Sequence, residues 1–188
     1  MPFTPLHMGP GMLVKAAMPR YFSIIVFGLT QIAIDVEVLR YIMRSEYPLH
    51  RFWHTYLGAT IVAVGVGILG KPVSQWIKRM WNCIAPKGTA VDLSVALPTS
   101  WTASLTGAFI GSYSHILLDS SYHTDIMPLL PFSDINHLRG YISPYMLDIL
   151  CIAAGIMGLI WFFARQVKQR LANKAVLPIA ASAAQADR

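Results

Sequence analysis

The stretch SHILLD sets His115 and Asp119 four residues apart at the close of an apolar run, and LHRFWHT sets His50 and His54 at the same spacing just before another. On an α-helix, residues four apart project about 40° from one another. Each pair therefore presents two donor side chains on one face, the spacing that brings two ligands to a single metal ion. A carboxylate so placed either binds the ion or accepts the second ring N–H of a ligating imidazole and fixes its tautomer. A third set lies in TQIAIDVEVLRY, where Asp35, Glu37 and Arg40 interrupt the last third of an apolar run. Each set also has a plainer role. His50 and His54 beside Trp53 suit a membrane-boundary belt, a carbonyl can satisfy His115, and Glu37 and Arg40, three apart, can neutralise each other. A charged group at the centre of a membrane helix costs roughly 2.5–3.5 kcal/mol, however, and three helices carry ionisable groups to the same depth. One shared metal site removes that penalty from all three.

The composition says what must position these residues. Of 188 residues, 55% are apolar and 13% charged, with a mean hydropathy of +0.50, values that point to an integral membrane protein rather than a soluble domain. The net charge of +6 does not indicate nucleic acid, because the basic residues cluster beside apolar runs, where they report topology. Cys83 and Cys151 form neither a metal-binding pair nor a disulfide framework. The first twenty residues lack the pattern of a cleaved secretory signal and are expected to remain in the mature chain.

Four apolar runs follow: Tyr21 to about Tyr41, Trp53 to Gly70, Trp101 to Leu118 and Tyr145 to Ala164. The expected fold is all-α, a polytopic helical bundle of about four spans, preceded by a short re-entrant or interfacial helix in MGPGMLVKAAM. The segment from Lys71 to Pro98 places Trp76, Ile77, Met80 and Trp81 on one helical face, which suggests an amphipathic helix on the membrane surface. Residues 120–144 read as a long ordered loop. Residues 1–174 form one membrane domain, and 175–188 form a flexible tail.

Lys71, Lys78, Arg79 and Lys87 follow the second run, and Arg165, Lys168, Arg170 and Lys174 follow the fourth. With runs two to four alternating in direction, both basic segments fall on one side, which is cytoplasmic by the positive-inside rule. His50, His54, His115, Asp119 and the 120–144 loop then face outward. If Met8 to Met18 dips into the membrane and turns at Pro19 and Arg20, His7 and Asp35 join them on that face.

These motifs resemble the membrane-bound metal-dependent hydrolases of bacterial and archaeal membranes over about residues 1–133. FTPLHMGPG matches the N-terminal His segment, IDVEV the Asp-x-Asp-His stretch, HRFWHT the His-Arg motif, SHILLD the Ser-His-Ile-Leu-x-Asp motif and DIMPLLPFS the segment after it. Val38 stands where the family has the final His, the two His of HRFWHT are four rather than five apart, and Thr55 replaces Ser. The resemblance implies a metal-dependent hydrolase in the bacterial inner membrane with its site on the outer, periplasmic face. His7, Asp35, His50, His54, His115 and Asp119 would be metal ligands, with Glu37 and Asp119 in catalytic roles and Glu37 as candidate general base. Arg51 would hold an anionic group such as a lipid phosphate.

A mixed His and carboxylate set suits Zn²⁺, Mn²⁺ or Fe²⁺, one or two ions, better than Mg²⁺. Such an ion supplies water of lowered pKa for attack on a phosphoester or lipid-derived substrate, with membrane lipid and a small-molecule or lipid substrate as partners and no nucleic acid. His123, Asp125, Asp134, His137 and Arg139 either line the entrance or are ordinary loop polarity. The competing reading is a non-catalytic membrane protein with a structural metal or an ion-handling role. Against a conduit, the inner halves of runs two to four offer only Ser, Thr and Gly as polar groups.

Overall fold

Ser23 and Ser100 open two of the long helices in the same way: each side-chain oxygen accepts from an amide three residues on, Val26 N at 3.4 Å and Ala103 N at 3.1 Å, and so satisfies an end-of-helix donor. The computed structural model describes residues 5–84 and 97–186, the last fourteen as backbone. Its elements are α1 (Met8–Ala17), α2 (Ile24–Met43), α3 (Tyr56–Ile84), α4 (Trp101–Tyr122) and α5 (Pro144–Ala186), with short 3-10 turns at Pro5–His7 and Phe52–His54. The fold is all-α, with no strand among the described residues.

Two helices are long and apolar enough to cross a membrane: α3, and α5 from Pro144 to Ala172, each 29 residues, with mean hydropathies of 1.6 and 2.2. On α5, Ile149, Ile152, Ile156, Ile160 and Phe163 are exposed, an outward apolar face suited to lipid. α2 and α4 are less uniformly apolar because they carry the ionisable and hydroxyl side chains that point inward.

Packing runs the helices alternately up and down. Ile34 of α2 meets Ala59 and Val62 of α3 in one core cluster with Ile116 of α4; Val26, Ala63 and Ala108 form a second cluster nearer the other end. Ser112 and Ser104 of α4 donate to the carbonyls of Ala59 and Gly67 on α3, polar links typical of close helices in an apolar setting. α2 and α4 run parallel in near contact. A Cβ at Gly107 would lie 2.5 Å from the carbonyl oxygen of Ser23, so no larger residue fits without moving a helix. α1 packs against α5 equally closely, a Cβ at Gly158 falling 2.5 Å from the amide of Leu13.

α1 and α2 form a hairpin. Lys15, buried at the end of α1, donates to the carbonyls of Pro19 at 2.6 Å and Phe22 at 3.1 Å, and Arg165 of α5 donates to Ala16 O at 2.8 Å. Lys15 thus satisfies carbonyls of the α1–α2 connection, and Arg165 one that the end of α1 leaves exposed. The reversal brings His7 back to the end of the bundle that holds the close of α2, the start of α3 and the close of α4.

Two expectations change. The stretch read as a separate surface helix is, from Lys71 to Ile84, the continuation of α3 through Pro72; residues 85–96, including Lys87, lie outside the described residues. A helix already propagating gains one hydrogen bond for each further residue without a new nucleus, so the amphipathic face of Trp76 and Met80 extends an existing element. The trace of α5 likewise stays helical to Ala186, across the segment read as a tail. The loop expected over 120–144 is shorter at its ends, α4 running to Tyr122 and α5 starting at Pro144, with no helix or strand from 123 to 143. It folds back on the start of α3, where Tyr56 N donates to Pro128 O at 2.9 Å.

Candidate metal centre

Four side chains from two helices and one turn meet at that end: Asp35 from α2, His54 from the Phe52–His54 turn, and His115 and Asp119 from α4. All are buried, and each offers a ligand atom within 4.8 Å of every other. His115 Nε2 lies 3.4 Å from Asp35 Oδ1 and 3.2 Å from Asp119 Oδ2. His54 Nε2 lies 3.8 Å from Asp35 Oδ1 and 3.9 Å from Asp119 Oδ2. The same four atoms recur in every pair.

These separations decide between two ways of neutralising two buried carboxylates. Imidazolium–carboxylate pairs close to about 2.7–2.9 Å; four donors on one ion with arms of about 2.0–2.1 Å stand about 3.3 Å apart. The His115 spacings of 3.4 and 3.2 Å match the second, and the His54 spacings of 3.8 and 3.9 Å exceed both. Correspondingly, both Nε2 atoms are buried without a hydrogen-bond partner, which is costly for a polar atom unless something else occupies it. The residues present fit a divalent ion, and the two carboxylates balance its charge.

The opposite ring nitrogens are pinned. His54 Nδ1 contacts Glu37 Oε2 at 3.0 Å, and that carboxylate also accepts from Arg51 N at 3.1 Å and Trp53 N at 3.1 Å. A carboxylate only accepts, so Nδ1 carries the proton and Nε2 keeps its lone pair toward the cluster. His115 Nδ1 meets Gln31 Oε1 in a short contact, and Gln31 Nε2 donates to Gly111 O at 3.2 Å. That second bond fixes which way the amide points, so Gln31 too leaves an Nε2 lone pair facing the carboxylates.

Around this inner set lie the remaining candidates. His7, buried, places Nε2 3.4 Å from Asp119 Oδ1, the oxygen turned away from His115. Burial lowers its pKa against the pull of Asp119. His50 stands edge-on to His54, ring centroids 4.7 Å apart, and tilted by 31° against His123 at 4.3 Å. Its Nδ1 lies 2.8 Å from Asp125 Oδ1, while Asp125 Oδ2 accepts from Leu49 N at 2.9 Å and His50 N at 3.2 Å. Burial first, then His54 and His123, push His50 down to about 4 despite Asp125, so its ring is neutral at neutral pH.

Of the residues singled out from sequence, Asp35, His54, His115 and Asp119 come together as one donor set, His7 touches its edge and His50 adjoins it. Glu37 takes a different part from the general base expected of it: its oxygens are taken up by His54 and two backbone amides, so it orients a ligand. Nor does Arg51 point at the cluster. Its guanidinium sits 3.7 Å over the Tyr41 ring, 3.3 Å from Glu46 Oε2 and 3.0 Å from Pro48 O. It lines a largely apolar pocket of about 400 Å³ that His50, Phe52, Asp125, Met127 and Leu130 also wall. Asp134, His137 and Arg139 are exposed in the loop. The sequence does not single out Gln31, although it lies four residues before Asp35 on the same face of α2, and it offers Asp125 as either an entrance residue or ordinary loop polarity.

Compared with protein-family models, curated proteins and solved structures, the chain gives no match.

Proposed function

We propose that the chain is a membrane-embedded, metal-dependent hydrolase of the bacterial inner membrane, akin to the membrane-bound metal-dependent hydrolases it resembles. In this reading α2 to α5 are four spans, α1 is a short re-entrant helix, and the donor cluster sits at the outer, periplasmic interface. The observation that carries the metal is the pair of orphaned Nε2 atoms of His54 and His115 aimed at Asp35 and Asp119.

Asp35, His54, His115 and Asp119 hold the ion, Glu37 and Gln31 hold the two imidazoles, and the remaining chemistry belongs to their surroundings. When bound, a Zn²⁺, Mn²⁺ or Fe²⁺ ion supplies Lewis acidity and a water of lowered pKa. Asp119 Oδ1 and His7 Nε2, 3.4 Å apart, are the adjacent groups able to hold a proton. The apolar pocket of about 400 Å³ beside His50 suits the hydrocarbon part of a lipid-derived substrate, and Arg51 in its wall suits an anionic head such as a phosphoester.

A second reading has its own support. Four side-chain donors complete a tetrahedral shell, as in structural rather than catalytic zinc sites, which fits a non-catalytic membrane protein. Purified protein with added Mn²⁺ or Zn²⁺, assayed on phosphomonoesters, phosphodiesters and ester lipids, separates the two. Hydrolysis that disappears in Asp119→Asn supports the enzyme; inactivity across all classes supports the structural ion. Reporter fusions after Ile84 and at residue 130 test the topology, which requires opposite sides.

A further inference from the structure

We propose a second divalent-cation site, made by His50 and His123 with Asp125 holding His50, lying outside the first and facing the substrate pocket. The inference rests on the metal-dependent reading above for its role, though not for its geometry. Three observations carry it.

The first is proximity. His50, His123 and Asp125 each offer a ligand atom within 4.8 Å of the other two, and the two imidazole rings lie 4.3 Å apart with an interplanar angle of 31°. Two imidazoles tilted toward one another beside one carboxylate are the donor types that borderline transition ions select. The second is orientation. Asp125 accepts three N–H groups, His50 Nδ1 and the amides of Leu49 and His50. A carboxylate so occupied holds its imidazole in one tautomer, with Nε2 left to bind, the arrangement found behind metal-ligating histidines. The inner cluster repeats it in Glu37, which accepts His54 Nδ1 and two backbone amides. The two histidines of HRFWHT are therefore held by the same device, four residues apart.

The third is register. His123 closes α4 one turn beyond Asp119, its amide bonded to Asp119 O at 2.8 Å, just as His50 lies four residues before His54. Both strands of ligands step outward together, and His50 lies edge-on to His54 at 4.7 Å. The inner set has its four donors buried, whereas His123 is partly exposed and the apolar pocket shares His50 and Asp125 as walls. An outer ion with few protein donors keeps positions open for a phosphoryl or carboxyl oxygen beside the inner ion.

The test is metal content per chain, by elemental analysis of detergent-purified full-length protein after saturation with Zn²⁺ or Mn²⁺ alone and gel filtration. Two ions per chain are expected in the native sequence, one in His123→Ala, and one in Asp125→Asn at ion concentrations that fill both sites of the native chain. His123→Ala removes a partly exposed side chain at a helix end, so it is expected to keep the thermal stability of the native protein. Unchanged ion content in His123→Ala overturns the outer site. If the native chain then holds one ion that Asp35→Asn removes, the inner reading stands alone. One ion lost in His123→Ala but kept in Asp35→Asn overturns the inner reading and leaves the outer site. No ion in the native chain overturns both.

Discussion

The inner and outer clusters draw on the same residue types, yet the inner one is a closed cage and the outer one a half-open bracket. Inside, His54 and His115 are each pinned at Nδ1, by Glu37 and Gln31, and left without a hydrogen-bond partner at Nε2. Outside, Asp125 pins His50, and His123 lies tilted against it at the end of α4. The difference traces to the elements. Inner ligands project from the middle of α2, the last turns of α4 and the buried end of the Phe52–His54 turn, where packing excludes water; the outer residues sit on the chain before that turn, at the C-cap of α4 and in the loop after it. Burial with a full donor set favours tight, lasting occupancy, while partial exposure favours exchange with substrate.

The contrast can be sharpened by stability. A ligand that binds only the folded state adds about 4 kcal/mol at a thousandfold excess over its dissociation constant. Chelation is therefore expected to lower the thermal midpoint of the native protein by many degrees, and to leave Asp35→Asn, which lacks the inner shell, nearly unmoved. If both respond alike, the inner cluster is not the main site. Next in size are the pinning residues. Glu37→Gln and Gln31→Leu are expected to weaken the inner ion about 10–100-fold, measured by competition with a chromophoric chelator, with the outer ion unaffected. Asp125→Asn is expected to do the reverse. Crossed effects would merge the two sites into one. Smallest is Ser112→Ala, which removes an α4-to-α3 hydrogen bond at about 0.6 kcal/mol. A shift of that size in the denaturation midpoint with unchanged metal affinity shows that helix packing and ligand geometry separate.

Much of the inner site was legible because apolar runs make ionisable groups conspicuous. His115 and Asp119 share a helical face and Asp35 stands in an apolar run; His54 is singled out with His50 as a helical pair, but the two lie in coil and a 3-10 turn before α3 and divide between the two clusters. The positions that were not legible are those whose roles depend on a second strand of chain. Glu37 looked like a partner for Arg40 three residues on; it is drawn instead to the amides of Arg51 and Trp53, which a tight turn leaves unpaired within its own backbone. Gln31, uncharged, carries no comparable membrane penalty, although its spacing from Asp35 was visible. Asp125 lies in a polar loop where a carboxylate attracts no notice until the loop folds over His50. Among the elements, the α1 hairpin followed from Pro19 and Arg20 after a short apolar run. The continuation of α3 past Lys71 did not, because Pro72 reads as a break in sequence and is accommodated within the helix.

The central claim is that Asp35, His54, His115 and Asp119 form one metal-binding shell. The most direct measurement is the bound divalent ion in full-length protein purified in detergent without chelator, compared with the same protein carrying His115→Ala. At least one tightly held ion per chain, with one fewer in the variant, is the expected result; equal metal content in the two, or a native chain that takes up none when Zn²⁺ or Mn²⁺ is supplied, contradicts it.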